Sequence, residues 1–218
     1  MVYTEQELFD RFIKRFSEDV SRNLAQCISV VNEKRQSICI EAIDLCTFNT
    51  EQNKIMKCAY IRGGNSYDKD LTPHRMTKTR LNAYFAKSAY SQYFDKGRKE
   101  MIERFAKESG YTMLGCDCSG FVVGLLRKNK VVSSGYDATA DNLYKASKKT
   151  ISLSSGNLVH KAGHCGVIVS NRYAVECVGG AYGLQMTDIE QRKVFNFVSG
   201  KIEKMSSVFD GVGVIKGL

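Results

Sequence analysis

The chain is most constrained by residues 115–122, with the sequence Gly-Cys-Asp-Cys-Ser-Gly-Phe-Val, and by the apolar residues that follow to Leu126. This apolar segment favours a buried helix with Cys118 in its first turn. The unpaired backbone N–H groups of a helix N-terminus lower the pKa of a thiol and favour the thiolate. Cys118 is therefore a candidate nucleophile, although a lone cysteine on an apolar helix is more often a buried structural residue.

Composition bounds the size and the partners of the protein. Its 218 residues, 43% hydrophobic and 25% charged, predict one sizeable core or a core domain with an appendage. The formal charge of +9 favours anionic partners such as nucleic acid, acidic lipid headgroups or bacterial cell-wall polyanions, without choosing among them.

The cysteines and the first residues bear on the compartment. Eight cysteines without a Cys-x-x-Cys pair or a compact disulfide spacing predict mostly reduced thiols and synthesis in a reducing cytosol. Glu5, Glu7 and Asp10 lie where a signal peptide needs basic and then apolar residues, and no apolar run is long enough to span a membrane. We expect cytoplasmic synthesis without a signal peptide, so that action outside the cell requires another route of release.

A helical pattern begins the chain. Thr4 and Glu7 form a capping box, and apolar residues then recur every fourth position from Leu8 to Leu24. The spacing predicts one amphipathic helix that extends as far as Val31. Its apolar stripe packs on the main domain or, alternatively, forms an interface with a partner or another copy.

Shorter signals connect this helix to the cysteine run. Residues 38–45 form an apolar segment of undecided type, and a short helix is predicted from about Glu51, with apolar residues up to Ala59 facing a core. The pair Gly63 and Gly64 indicates a tight turn or a close approach of the backbone.

Residues 66–110 are basic and rich in tyrosine. The apolar residues from Leu81 to Ala89 fit one helix, and those from Met101 to Phe105 fit a second that ends near Gly110. Interleaved basic and aromatic residues are one feature of nucleic-acid binding. A solvated face with half-buried tyrosines is the commoner explanation, so we expect no nucleic-acid partner.

Strand patterns dominate the second half of the chain. A short helix over residues 138–147, capped by Thr139, precedes them. The predicted elements are a strand at 156–160, an antiparallel hairpin of 164–169 and 173–178, a capped helical turn at Thr187 to Glu190, and a last strand at 194–198.

The hairpin offers a base for the thiol. A cysteine nucleophile needs a group that takes its proton, and histidine suits this task near neutral pH. Of the three histidines, His74 lies in the basic segment, whereas His160 and His164 flank the start of the hairpin. Alternation along a strand places His164 on the same face as Gly166, which leaves room for a neighbouring helix end.

Glu176 is a carboxylate within the apolar returning strand. A buried carboxylate needs a partner, and a histidine on the adjacent strand is one candidate. A group that accepts from the second imidazole nitrogen fixes the orientation of the ring. Surface positions for His164 and Glu176 remain open alternatives. A zinc site is also conceivable, but its ligands would match no common spacing: Cys116, Cys118, Cys165 and His164.

Four features of the chain resemble the NlpC family of cell-wall endopeptidases, which are papain-like cysteine peptidases. They are the nucleophile segment 117–122, the strand pair 156–159 and 163–169 with its histidine, the tyrosine-containing turn 60–64, and Glu176 in the place of the third, orienting residue. The first two are specific in combination and occur in the correct order. The resemblance covers about residues 51 to 200.

The resemblance implies an α+β fold with a papain-like core, in which helices that include the one bearing the nucleophile pack on an antiparallel sheet. Residues 1–50 would be an extra N-terminal helical extension, and residues 51–218 the peptidase domain with a helical insertion at about 66–110. Two departures stand out. The family usually has an aromatic residue where Arg62 stands, and its third polar residue is more often His than Glu.

The implied activity is hydrolysis of peptidoglycan stem peptides between the side-chain carboxyl of D-glutamate and diaminopimelate or lysine. Cys118 would form a thioester, with His164 as base and Glu176 as orienting residue. The implied substrate contacts are Tyr60, Arg62, Asp117 and Ser119, of which Asp117 and Ser119 would bind a free amino group. The resemblance implies no metal and no cofactor.

Other functions remain open at this stage. A related amidase would cut between the muramoyl sugar and L-alanine, and a non-catalytic wall-binding or phage tail protein would carry a degenerate site. Release without a signal peptide fits a phage lysin, a conjugation factor or a secreted effector. A phage tail or secretion-system partner would bind through residues 1–50, and no membrane partner is expected.

Overall fold

Helices and strands are mixed along the chain, and the computed structural model describes residues 2–47, 55–206 and 208–218. The helices are α1 Glu5–Phe12, α2 Glu18–Ser29, α3 Glu33–Leu45, α4 Lys78–Phe85, α5 Arg98–Glu108, α6 Cys118–Lys128, α7 Ala140–Ala146 and α8 Gly179–Tyr182, with a 3₁₀ helix at Ser88–Tyr93. The strands are β1 Cys58–Tyr60, β2 Leu114–Cys116, β3 Lys148–Thr150, β4 Leu158–Lys161, β5 His164–Ile168, β6 Tyr173–Val178, β7 Gly183–Asp188, β8 Lys193–Asn196, β9 Lys201–Lys204 and β10 Gly211–Val214. The α+β class expected from the sequence is confirmed.

The main sheet is antiparallel. Its strand order is β3-β10-β4-β5-β6-β7, while β1 and β2 form a parallel pair and β8 and β9 an antiparallel pair. The predicted hairpin is confirmed as β5 and β6, and Gly166 lies opposite Glu176 in its register. The predicted strand at 156–160 is confirmed as β4.

The N-terminal pattern forms two helices instead of one. The capping box is confirmed, because the Thr4 hydroxyl accepts from the Glu7 N–H while the Glu7 side chain accepts from the Thr4 N–H. The prediction of one continuous helix is wrong, since α1 ends at Phe12 and Ser17 takes an extended backbone before α2. Two acidic residues follow Ser17 in the first turn of α2, where negative charge is favoured.

The apolar stripe of these helices is buried in the main core. Leu8, Phe12 and Leu24 have at most 1% of their surface exposed, and they belong to the same hydrophobic cluster as α6 and the sheet. The interpretation of the stripe as a packing surface is therefore confirmed for these residues. A phage or secretion partner for residues 1–50 stays a prediction.

The segments around Glu51 and Thr187 differ from expectation. Residues 38–45 belong to α3, whose N-cap Asn32 accepts from the Arg35 N–H. Residues 48–54 lie outside the described part of the chain, so the predicted start at Glu51 does too, but Ala59 belongs to β1 and not to a helix. The helical turn predicted from Thr187 is wrong, because Thr187 lies within β7.

Residues 66–110 form the predicted helical pair and a second hydrophobic cluster. α4 and α5 confirm the two predicted helices, and α5 ends two residues before Gly110. Their apolar faces pack on Phe195 and Phe197, beside the strand β8 that sequence analysis expected to be the last one. Two further strands, β9 and β10, follow it.

The two faces of the main sheet pack against different hydrophobic clusters. Cys165 and Val167 face the cluster that contains α6, whereas Ile168 and Ala174 face a smaller cluster on the opposite side. Alternation therefore places Glu176 on the face away from α6.

No helix among the described residues combines the length and the apolar character needed to cross a membrane.

α6 packs against residues 63–67 with almost no side chains between the two backbones. The Gly64 carbonyl accepts from the Asp117 N–H at 3.0 Å, and the Gly120 carbonyl accepts from the Ser66 N–H at 3.1 Å. A Cβ atom at Gly120 would lie 1.8 Å from the Gly64 oxygen. The close approach that Gly63 and Gly64 predicted is therefore the contact that places the start of α6.

Substitution of Gly120 tests this contact. Gly120→Ala is expected to destabilise the fold by about 1–3 kcal/mol, because overpacking forces the backbone apart and outweighs the helix propensity of alanine. Gly135→Ala is the matched control, since a Cβ there has no atom within 4 Å. Urea unfolding measures both variants. Equal unfolding midpoints would contradict the role of the close approach.

Candidate active site

Asp117 fixes the first turn of α6. Its Oδ1 accepts from the Gly120 N–H at 2.8 Å and from the Ser119 hydroxyl at 3.1 Å, and its Oδ2 accepts from the Gly63 N–H at 2.8 Å. The sequence favours a helix start here because aspartate is among the best N-cap residues. One buried carboxylate thus holds both the first turn of α6 and the neighbouring turn at Gly63.

Cys118 lies at this helix start with 5% of its surface exposed. The neighbouring Cys165 thiol, whose sulfur lies 3.6 Å from the Cys118 carbonyl oxygen, makes the largest contribution to the pKa of Cys118, which falls to about 4. Burial opposes this shift, and the adjacent His164 imidazole adds to it. Cys118 is therefore a thiolate at neutral pH, and the second thiol stabilises its charge.

His164 lies between the thiol and a carboxylate. Its Nε2 is 2.6 Å from the Glu176 Oε2, which leaves Nδ1 for the thiol. Burial lowers the pKa of His164, but the hydrogen bonds to Cys118 and Glu176 outweigh burial and raise the pKa to about 9. The pair at neutral pH is thus a thiolate next to an imidazolium.

Glu176 has no exposed surface and four polar contacts. Besides His164, it accepts from the Thr187 hydroxyl at 2.7 Å and from the Arg192 guanidinium at 3.1 and 2.6 Å. Burial raises the pKa of this carboxyl, but the imidazole and then the guanidinium outweigh it and lower the pKa to about 2. Glu176 is therefore ionised, and both of its oxygens have hydrogen-bond partners.

A cleft of about 650 Å³ opens beside Cys118. Arg62, Asp117 and Ser119, three of the four candidate substrate contacts, line it together with the thiol. The fourth, Tyr60, is buried and packs its ring 5.9 Å from that of Tyr93. Burial and then the nearby Cys118 raise the pKa of Tyr60, so it is a neutral phenol.

The helical segment 66–110 builds one wall of this cleft. Tyr90 lines the cleft directly. The Arg62 guanidinium lies 5.7 Å from the centre of the Tyr93 ring, a cation–π distance. The segment 66–110 therefore contacts Arg62 through the Tyr93 ring.

Sequence analysis missed the opposite wall, which the N-terminus of α7 provides. Asp137, Thr139 and Asp141 lie along it. The Asp141 Oδ1 accepts from the Gly163 N–H at 2.9 Å and lies 2.8 Å from the His160 Nε2, so it fixes the turn before His164. Thr139 was recognised as a helix cap, but its polar neighbours carried no further signal.

The zinc alternative is wrong. Among the described residues, no group of three or more His, Cys, Asp or Glu side chains is arranged to hold a metal ion. Cys116, one of its four ligands, instead has its sulfur 3.3 Å from that of Cys58 in the core. The hydrogen-bonding thiol is Cys165, which the sequence offered only as a metal ligand.

Comparison with protein-family models finds no model that matches this chain, and comparison with curated proteins finds no significant relative. The chemical capacity of the site therefore rests on its geometry. A thiolate, an imidazolium and an oriented carboxylate are the groups that nucleophilic acyl transfer requires.

Alkylation of Cys118 by iodoacetamide tests the ion pair. Because the pKa of Cys118 is lowered to about 4 and that of His164 is raised to about 9, the rate is expected to stay nearly constant between those values. His164→Gln removes the cationic partner and raises the pKa of Cys118, so alkylation near pH 6 is expected to slow by roughly tenfold or more. Mass spectrometry of the Cys118 peptide across a pH series measures this.

The control is His74→Gln, whose imidazole contacts Asp68 at 2.6 Å outside the site and should leave the profile unchanged. A wild-type rate that rises only above about pH 8, as for a free thiol, would contradict the ion pair.

Proposed function

We propose that the chain is a papain-like cysteine peptidase that hydrolyses peptidoglycan stem peptides between the side-chain carboxyl of D-glutamate and diaminopimelate or lysine. The observation that carries this proposal is the position of His164, which lies between the Cys118 thiolate and the Glu176 carboxylate beside an open cleft. Nucleophile, base and orienting group thus follow one another in the order that thiol catalysis uses.

The meeting of the NlpC-like segments supports the family assignment within this proposal. The nucleophile segment 117–122 begins α6, the histidine segment 163–169 contains β5, and the tyrosine turn 60–64 begins at the last residue of β1. Residues far apart in sequence therefore share one cleft. Glu176 occupies the place of the third residue, on the strand next to that of His164.

Acylation is the first chemical step. The Cys118 sulfur attacks the scissile carbonyl carbon, and the carbonyl π electrons move to its oxygen. When the tetrahedral intermediate collapses, the C–N bond breaks and the His164 imidazolium gives its proton to the leaving amine. The products are a thioester on Cys118, a neutral imidazole and a free amine.

In deacylation His164 accepts a proton instead of donating one. The neutral His164 imidazole takes a proton from water as the water oxygen attacks the thioester carbonyl. The C–S bond then breaks, which releases the carboxylic acid and restores the thiolate and imidazolium. Glu176 holds the ring in one orientation through both steps.

The start of α6 supplies the oxyanion site. Backbone N–H groups in the first turn of a helix point at a negative group there, and the helix dipole adds to the attraction. The N–H of Cys118 belongs to this turn. Since these donors are fixed by the Asp117 cap, they stabilise the charge that develops on the carbonyl oxygen.

Substrate binding follows from the two walls. Arg62 is a cation on one wall and Asp137 an anion on the other, and both stand beside the thiol. A stem peptide carries both carboxylate and amino groups, so a cleft with both charges suits it. Because the Asp117 carboxylate already holds three N–H and O–H donors, its part in binding an amino group depends on sharing them.

Digestion of purified peptidoglycan tests the proposal. The wild-type protein is expected to release truncated stem peptides that end at D-glutamate, whereas Cys118→Ala should lose at least about three orders of magnitude in rate, because the nucleophile is gone. Mass analysis of the products from diaminopimelate-type and lysine-type walls identifies both the bond and the amino acid.

Each other product pattern has a distinct meaning. Release of whole stem peptides would show an amidase, and equal clearing by the wild type and Cys118→Ala would show a non-catalytic wall-binding protein. Cys27→Ser is the matched control, since Cys27 lies outside the site and should digest like the wild type.

A further inference from the structure

Arg192 is the largest fully buried side chain of the described residues, with 1% of its surface exposed, and no motif singled it out. Its Nε lies 3.1 Å from the Glu176 Oε1 and its Nη2 lies 2.6 Å from the Oε2. This is a two-pronged contact between a guanidinium and a carboxylate, a geometry that lysine cannot reproduce.

The backbone holds Arg192 in place at a cost. Its φ of 40° is in the left-handed region, which is unfavourable for a residue with a side chain. The Arg192 N–H donates to the Asp188 carbonyl at 2.8 Å, and its own carbonyl accepts from the Met205 N–H at 3.0 Å. The turn after β7 is thus built so that the guanidinium reaches Glu176.

We propose that Arg192 is a positioning residue that neutralises Glu176, so that the two side chains together present His164 with an oriented acceptor of no net charge. This inference deepens the proposed function and rests on it only for its catalytic meaning. An isolated buried carboxylate beside His164 would hold the imidazolium proton too tightly for transfer to the leaving amine. The guanidinium offsets that attraction while the carboxylate keeps its hydrogen bond.

The surroundings of the imidazole leave few other charges to do this. Glu176 faces the imidazole from the neighbouring strand, and the Thr187 hydroxyl donates to Glu176 from the strand beyond it. Phe209 stacks over the imidazole ring at 6.2 Å and also covers the Arg192 guanidinium at 4.5 Å. The titratable and charged groups that act on this site from the packed elements include Cys118 and Asp117 at α6, Cys165 on β5, Tyr60 on β1, Asp141 on α7, Glu176 and Cys177 on β6 and Arg192 after β7.

A charge-balance cycle tests the proposal without any substrate. The rate of Cys118 alkylation by iodoacetamide is expected to have an upper inflection where the imidazolium loses its proton, because a free thiolate reacts faster than the ion pair. Arg192→Met should move this inflection up by about one pH unit, and Glu176→Gln should move it down by a similar amount. The double variant, neutral at both positions, should return it to the wild-type position.

Two further variants separate positioning from mere structure. Arg192→Lys keeps the charge but not the fork, so its inflection should stay near that of the wild type. Arg127→Met removes another buried arginine, which donates to the Tyr136 carbonyl at 2.7 Å at the far end of α6, and it should lower stability without moving the inflection. An Arg192→Met profile that matches the Arg127→Met profile would overturn the proposal.

Loss of folding does not hide the answer. If Arg192→Met does not fold, Glu176→Gln and the double variant still decide it, because the double variant buries no unpaired charge. If the addition of Arg192→Met to Glu176→Gln does not raise the inflection again, the proposal is refuted. The alkylation readout also separates the two proposals, since the expected shifts together with inert peptidoglycan would refute the proposed function alone.

Discussion

The hydrogen bonds of the Asp117 carboxylate are the interaction on which the site depends. They join the first turn of α6 to the N–H of Gly63, so a helix and the turn after β1 share one acceptor. Burial raises the pKa of this carboxyl, yet the N–H groups it accepts from favour the ionised form. A negative cap also compensates the positive end of the helix dipole, and the Cys118 thiolate adds a second negative charge there.

That contact works only because the backbones meet directly. Gly120 and Gly124 add no side chain of their own to this contact, and the Ser66 hydroxyl fills the space beside Gly124, where a Cβ would lie 2.1 Å from it. The thiol is therefore placed by backbone packing, which tolerates less movement than packing through side chains. This explains why the nucleophile segment is rich in glycine although it forms a helix.

Much of the fold could be predicted because its signals are local. The Thr4 capping box, the Thr139 cap and the β5–β6 hairpin each depend on residues within a few positions of one another. The errors arose where a local pattern had two solutions. Fourfold spacing of apolar residues continues across Ser17 whether one helix or two helices bury it, and Thr187 reads as a cap although its hydroxyl serves a carboxylate on the next strand.

The candidate site was predictable only in part, for the same reason. Cys118, His164 and Glu176 lie in ordered motifs, but Arg192 is one basic residue in a polar stretch, and only the fold shows that it is buried. The sequence places a lone carboxylate in an apolar strand and cannot show what compensates it. A buried glutamate requires a cation or several donors, so the search for its partner is where the structure adds most.

The chain as a whole and the lining of its cleft carry net charges of opposite sign. The whole chain carries +9, but the charged residues that line the cleft are one arginine and three aspartates, Arg62, Asp117, Asp137 and Asp141. Long-range attraction to an anionic partner and local selection at the thiol are thus governed by opposite signs. A polyanion is drawn to the protein but is disfavoured inside the cleft, which in the proposed function leaves that space to the stem peptide. In that proposal the aspartates on the α7 wall favour a free amino group of the peptide beside the carbonyl that the thiolate attacks.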